Sequence, residues 1–156
     1  MITIRPAGVS DVVVLRDMLQ ELSRHTGGPG DAGSLQSLLE HGFGPRPLFY
    51  ALIAEDAAGA VGMIIYYPDF STLRGQSGLY VQDLYLAPAA RGAGLGPMLL
   101  RHATLAAQRD WGAVYLTLAV EAENLGAVRF YQNLGFRPRG YDFLILDKEG
   151  LASLLL

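Results

Sequence analysis

Six residues near the middle of the chain, Arg91-Gly92-Ala93-Gly94-Leu95-Gly96, are of the types that hold phosphate. Three alternating glycines let the backbone approach an anion closely, and a helix expected to begin at Gly96 turns its positive end toward the same spot. Arg91 adds charge beside it. Pro97 suits the first helical turn but removes one amide donor. The spacing excludes two nucleotide motifs. No Lys-Ser/Thr pair follows, as a P-loop requires, and Pro97 stands where the dinucleotide pattern needs glycine. Taken alone, the segment is also compatible with an ordinary glycine-rich strand-to-helix turn.

A second constellation is Asn124, Ala127 and Tyr131, followed by Gly135-Phe136. At 100° per residue Asn124 and Tyr131 fall within about 20° of each other, with Ala127 on the same side. An amide and a phenol flanking a small residue suit a thin polar chain laid along a helix. Simple packing of Tyr131, with its hydroxyl at the rim, is the plainer alternative.

The elements that must position these groups follow from periodicity and punctuation. Ile2 and Ile4 alternate in a first strand. Ser10 or Asp11 caps a helix carrying Val12, Leu15, Leu19 and Leu22 that ends near His25. Residues 26–33 read as a mobile loop that could serve as a lid, and a short helix follows over 34–41. Residues 49–55 and 60–67 form an antiparallel hairpin. A longer connection over 68–77 holds Asp69 and Arg74, which could read a substrate bearing both an amine and a carboxylate; a solvated loop is the simpler reading. Strand 79–86 leads into the glycine turn and a helix over 96–109, with Met98, Leu99 and residues 102–105 inward. Strand 114–120, helix 123–134 ended by Gly135, and a last strand 141–146 complete the order. Glu121 and Glu123 suit the positive end of that helix, or could face an acceptor. Residues 151–156 form a short apolar tail against the body or a partner. The order β-α-α-β-β-β-α-β-α-β predicts one α/β (α+β) domain over residues 1–156, with a mixed, mostly antiparallel sheet flanked by helices.

Composition narrows the function. The 156 residues are 51% hydrophobic and 17% charged, enough for one core, with apolar surface that a second copy would cover; a homodimer is expected. A net charge of -3 with no basic cluster argues against nucleic acid. Without cysteine there is no thiolate metal site and no acyl-cysteine intermediate, and His25, His41 and His102 show no metal spacing. The N-terminus lacks the features of a signal peptide, and no apolar run reaches membrane-spanning length, so a cytoplasmic address and no membrane partner are expected.

Together the two constellations resemble the GNAT family of acyl-CoA-dependent N-acetyltransferases. Within it they are most similar to the spermidine/spermine and thialysine acetyltransferase group. The resemblance extends through Ile4-Arg5-Pro6-Ala7, Gly42-Phe43-Gly44, Ile53-Ala54-Glu55, Val61-Gly62, Tyr66-Tyr67, residues 79–86 and Leu146-Asp147-Lys148-Glu149. It implies that acetyl-CoA is the co-substrate and that Leu84, Tyr85 and Leu86 offer strand backbone to the pantetheine arm and thioester carbonyl. It further implies that Arg91, Gly92, Ala93, Gly94, Leu95 and Gly96 wrap the pyrophosphate, that Asn124 and Ala127 line the arm, and that Tyr131 protonates the departing thiolate. A phenol of pKa about 10 is protonated at neutral pH and can donate.

One position departs from the group. Gln82 stands where the polyamine enzymes carry a glutamate proposed to help deprotonate the amine, and it cannot titrate. An alkylammonium of pKa about 10.4 is only about 0.04% free base at pH 7, a handicap of roughly 4 to 5 kcal/mol. Asp83 is a poor substitute in a regular strand, because neighbours point to opposite faces unless a bulge turns it inward, and a paired structural carboxylate is the favoured role. The expected reaction is direct acetyl transfer to a primary amine of a small molecule, polyamine-like or amino-acid-like. The scarcity of acidic residues in the 26–33 loop weakens the polyamine case. Acetylation of proteins or peptides, and a catalytically weakened acyl-CoA sensor, are the alternatives.

Overall fold

The computed structural model describes residues 1–155. Its contacts divide the chain into two compact units, Met1–Ala119 and Val120–Leu156. The first holds a five-stranded sheet in sequential order: β1 (Thr3–Pro6), β2 (Tyr50–Asp56), β3 (Gly59–Ser71), β4 (Gln76–Leu86) and β5 (Leu116–Leu118). Neighbours run antiparallel except β4 and β5, which are parallel. The mixed, mostly antiparallel sheet and flanking helices are those expected.

Alternation along the strands builds two apolar faces. One face brings Ala51, Ile53, Met63, Ile65 and Tyr85 against Leu15 and Met18 of α1 (Val12–His25). The other lies against α3 (Leu95–Trp111), whose buried stripe is Leu95, Leu99, Leu100, Ala103 and Ala107. Met98 and Leu105 are exposed rather than inward, because the stripe runs through 99, 103 and 107. Gly62 permits this packing, since a Cβ there would lie 2.7 Å from Leu86 Cδ2. α2 (Leu35–Phe43) begins where Ser34 accepts a hydrogen bond from the Ser37 amide at 3.0 Å.

The connection expected over 68–77 is instead a continuation of the hairpin, with a turn of only residues 72–75 between β3 and β4. Pro68 is tolerated inside β3 for a geometric reason. Its partner Leu79 turns its N–H away from β3 to Tyr115 O, so the Pro68 nitrogen also points away from β4, where β2 has already ended opposite Tyr66. No ladder bond is lost there. Asp69 and Arg74 are consequently engaged locally: Tyr115 donates its hydroxyl to Asp69 at 2.6 Å, and the Arg74 guanidinium lies 4.5 Å from the centre of the Tyr115 ring. The loop expected to be a lid is tied back at its start. The Gly28 amide donates to Ser23 O at 2.7 Å and the Gly30 amide to Ser23 Oγ at 3.2 Å.

The second unit contains α4 (Leu125–Asn133) and α5 (Lys148–Leu154). Gly135, at φ 92°, ends α4 as expected, with its amide donating to Gln132 O and that of Phe136 to Tyr131 O. The last strand expected over 141–146 is not formed: this stretch is irregular, and Leu144 and Ile145 are 94% and 90% exposed. The apolar tail forms α5 up to Leu154; Leu156 lies outside the described residues. Leu151, Leu154 and Leu155 are exposed in the single chain.

Arg5 locks the start of the fold. Its guanidinium donates to both oxygens of Asp11 at 2.8 and 2.9 Å and to both of Glu55 at 3.1 Å, joining β1, the entry to α1 and β2. Arg5 and a bond from the Gly8 amide hold the Asp11 carboxyl below its usual range. Arg5→Ala should therefore lower stability by about 1 to 2 kcal/mol in urea titrations at neutral pH, the exposure of Arg5 keeping the figure modest. Because the Asp11 pKa is depressed on folding, the difference should be full above about pH 4 and shrink as the pH falls through the folded-state value.

Candidate functional site

The site begins with a one-residue slip in β4. Tyr66 faces Val81 and Ile65 faces Asp83, leaving Gln82 opposite no residue of β3. Such a bulge reverses, for every later residue, both the face taken by the side chain and the side addressed by the backbone. Before the slip, Leu79 N–H donates to Tyr115 O and Ser77 O accepts from Val114 N–H, so odd-numbered residues address β5. After it, Ala87 N–H donates to Val61 O at 2.9 Å, so odd-numbered residues address β3, and Leu84 and Leu86 turn their polar groups outward. β5 pairs only with Leu79, Tyr80 and Val81. Pairing with β5 ends at Val81, and the outward edge at Leu84 and Leu86 has no strand partner among the described residues. A thin ligand with its own amides can be bound there as a strand would be.

This edge ends on the glycine turn. A 3-10 turn over Pro88–Ala90 brings Arg91 back, and its Nε–H donates to Leu86 O at 3.1 Å. Arg91, expected to add charge and to help wrap a pyrophosphate, thus also closes the foot of the strand. Gly92 and Gly94 adopt φ of 79° and 77°, a region costly for other residues, and a Cβ at either would meet nothing within 4 Å. Gly94 is the N-cap of α3, and the first-turn amides of Leu95 and Gly96 have no helical acceptor, while Pro97 has no amide to offer. The helix therefore opens one residue earlier than expected, without displacing its free donors.

On the α1 face the slip collects four polar side chains. Tyr67 and Tyr80 stack with ring centres 5.1 Å apart, and Tyr67 donates its hydroxyl to Gln82 Oε1 at 3.3 Å. Asp83 stands opposite Ile65 and two residues before Tyr85, both in the α1-side core, so its carboxylate points to that same face. It is no paired structural carboxylate: among the described residues no cation bridges to it, and burial alone pushes its pKa up to about 6. Burial also raises the Tyr67 and Tyr80 pKa values, helped by the Asp83 charge.

The remaining expected residues belong to the second unit. Asn124 caps α4, its Oδ1 accepting from the Ala127 amide at 3.2 Å, which leaves the side-chain NH2 free to donate. The Tyr131 ring meets Phe130 and Phe136 edge-on, 5.0 and 5.3 Å between centres, and burial raises the pKa of its phenol. Glu121 and Glu123 are exposed ahead of the helix, their carbonyls accepting from the amides of Asn124 and Leu125. No group of three or more metal-ligating side chains occurs among the described residues.

An apolar phase break was the available signal for Asp83. Leu79 and Val81 occupy odd positions and Leu84 and Leu86 even ones, all on the α3 face, so the pattern itself requires one extra residue between them.

Comparison with known proteins places this architecture. The acetyltransferase (GNAT) family profile matches residues 15–136. Thialysine N-epsilon-acetyltransferase of Sus scrofa is 34% identical over 112 residues, covering 67% of this chain and 65% of that protein. This chain thus spans just under two thirds of that relative's length. The L-methionine sulfoximine/L-methionine sulfone acetyltransferase of Pseudomonas paraeruginosa is 28% identical over 143 residues, covering 88% of this chain and 81% of the relative. The solved integron cassette protein from the mobile metagenome of V. cholerae superposes with a TM-score of 0.81 at 23% identity, over 99% of this chain and 97% of its own. The sheet and the glycine turn are thus those of an acetyltransferase fold. The chain belongs to the acetyltransferase (GNAT) family.

A buried carboxyl with a raised pKa costs stability when ionised. That penalty is absent below about pH 4, develops as the pH rises, and is complete above about pH 6. Asp83→Asn should therefore stabilise the protein by about 2 kcal/mol at pH 8 and leave it unchanged at pH 4, measured as paired denaturation curves.

Proposed function

We propose that this chain is an acetyl-CoA-dependent N-acetyltransferase acting on a primary amine of a small molecule, polyamine-like or amino-acid-like, by direct attack in a ternary complex. Residues 1–156 are read as a single acetyltransferase domain. The observation that carries it is the outward backbone edge of Leu84 and Leu86 running onto the open glycines of the following turn. Coenzyme A has the matching sequence of groups: a thin arm with two amides, then a pyrophosphate.

In this reading Leu84 and Leu86 bond the pantetheine arm and polarise the thioester carbonyl, while Tyr85 anchors their strand in the core. Arg91, Gly92, Ala93, Gly94, Leu95 and Gly96 hold the pyrophosphate. The free NH2 of Asn124 and the small Ala127 line the arm. Tyr131, kept protonated by burial, gives its proton to the sulfur as the carbon–sulfur bond breaks. The names of both relatives specify amino-acid-like amines, which supports an acceptor of that size. The protein works in the cytoplasm as a homodimer; the exposed apolar run at Leu144 and Ile145 supports a partner of its own kind.

Calorimetry should show acetyl-CoA binding that Gly94→Val weakens at least about 10-fold, since valine cannot hold the left-handed conformation of the turn. Tyr131→Phe should retain that binding and lose about 100-fold in single-turnover acetyl transfer, followed as thiol release with thialysine, methionine sulfone, spermidine and kanamycin as acceptors. Unaltered transfer by Tyr131→Phe would exclude the phenol as the acid.

A further inference from the structure

We propose that Asp83, turned inward by the slip at Gln82, is the group that takes the proton from the acceptor ammonium. The inference rests on the acetyl-transfer reading above and names the residue that makes its amine reactive.

Position comes first. Pairing with β5 ends at Val81, so Gln82 and Asp83 stand at the head of the unpaired edge, directly before the outward backbone of Leu84. An acyl arm lying along Leu84 and Leu86 from a pyrophosphate at residues 91–96 would end its thioester at that head. An amine attacking the carbonyl there arrives beside residue 82 or 83. Gln82 is neutral, and its Oε1 already accepts from Tyr67. Asp83 is the one carboxylate among residues 79–86.

Its surroundings suit the task. The elements packed on β4 bring few charges to that face. From β3 come Ile65, Tyr67 and Asp69, the last bonded to Tyr115; β4 adds Tyr80 and Gln82; β5, over Leu116–Leu118, has no ionisable residue. α1 presents Leu15 and Met18, while its Arg16 pairs with Asp17. α3 covers the opposite face. Among the described residues no cation therefore bridges to Asp83, and an arriving ammonium would supply its counter-charge. The pair would form in a partly dry site, where an ionised carboxylate attracts an ammonium strongly and proton transfer turns two charges into none.

The proton balance closes. An N–H bond of the ammonium breaks as Asp83 takes its proton, and the free amine nitrogen forms its bond to the thioester carbon. The carbon–sulfur bond then breaks, with Tyr131 supplying the proton to sulfur. The nitrogen loses its second proton as the amide forms, which restores Tyr131, and Asp83 releases its own to solvent. The net products are the acetamide, the free thiol and one proton.

The test compares wild type, Asp83→Asn and Gln82→Glu/Asp83→Asn by thiol release from acetyl-CoA between pH 5 and 9. Two acceptors are used: thialysine, protonated at neutral pH, and trifluoroethylamine, free base there. Wild-type kcat/KM for thialysine should rise through about pH 6, where Asp83 ionises. Asp83→Asn should lose about 100-fold with thialysine at pH 7, lose less than about 3-fold with trifluoroethylamine, and follow only the titration of the amine as pH rises. The double variant, with its carboxylate one residue away, should recover at least about 10-fold. Calorimetric binding of acetyl-CoA by each variant reports on folding independently. Equal losses with both acceptors, or an unchanged rate with thialysine, would overturn the role of Asp83 while leaving the acetyl-transfer reading intact. No transfer by wild type to any amine would overturn both.

Discussion

A single inserted residue in β4 governs the chemistry this fold can perform. Up to Val81 the strand is committed on both edges, to β3 and to β5, and its odd-numbered backbone groups address β5. Continued in phase, the strand would turn the polar groups of Asp83 and Tyr85 to the open side and place Leu84 and Leu86 against α1. The slip at Gln82 prevents this. It keeps Leu79, Val81, Leu84 and Leu86 on the α3 face, keeps Tyr85 in the α1-side core, and turns the backbone of Leu84 and Leu86 to the unpaired edge. Core packing and the free outward edge therefore follow from the same register.

Two aspartates show what the fold does with carboxylates. Asp11 is clamped by Arg5 and the Gly8 amide, its pKa falls, and its ionisation contributes to stability. Asp83 is half-buried, no cation bridges to it among the described residues, its pKa rises to about 6, and its ionisation costs stability. The difference lies in partners. In the proposed mechanism the uncompensated carboxylate stands where an incoming ammonium relieves its charge.

Much of this was legible in the chain. Apolar periodicity located α1, the β2–β3 hairpin and the strand leading to the glycine turn, and the alternating glycines marked a backbone that only glycine adopts. What escaped was decided by neighbours. Pro68 reads as a loop until the absence of β2 beside it shows that no hydrogen bond is missing. Residues 141–146 have the composition of a strand, yet pairing needs a partner edge, which composition does not specify. A regular strand turns Asp83 away and only a bulge brings it inward; the phase of the leucines and valine breaks between residues 81 and 84 and marks that bulge.

The neutrality of Gln82 gains meaning from its neighbour. A second carboxylate at residue 82 would stand beside Asp83 in the same partly dry site, and like charges so close cannot both ionise freely. The pair would share a proton well into the neutral range, and Asp83 would spend that range protonated. Glutamine avoids this while still accepting from the Tyr67 hydroxyl, which steadies the bulge without adding charge. One carboxylate also suits an acceptor with one ammonium near the thioester better than a polycation whose other charges need partners, and the 26–33 loop, with Asp31 alone, offers few. In the proposed mechanism, glutamine at residue 82 thus leaves Asp83 as the proton acceptor and sets the balance of charge the site can receive.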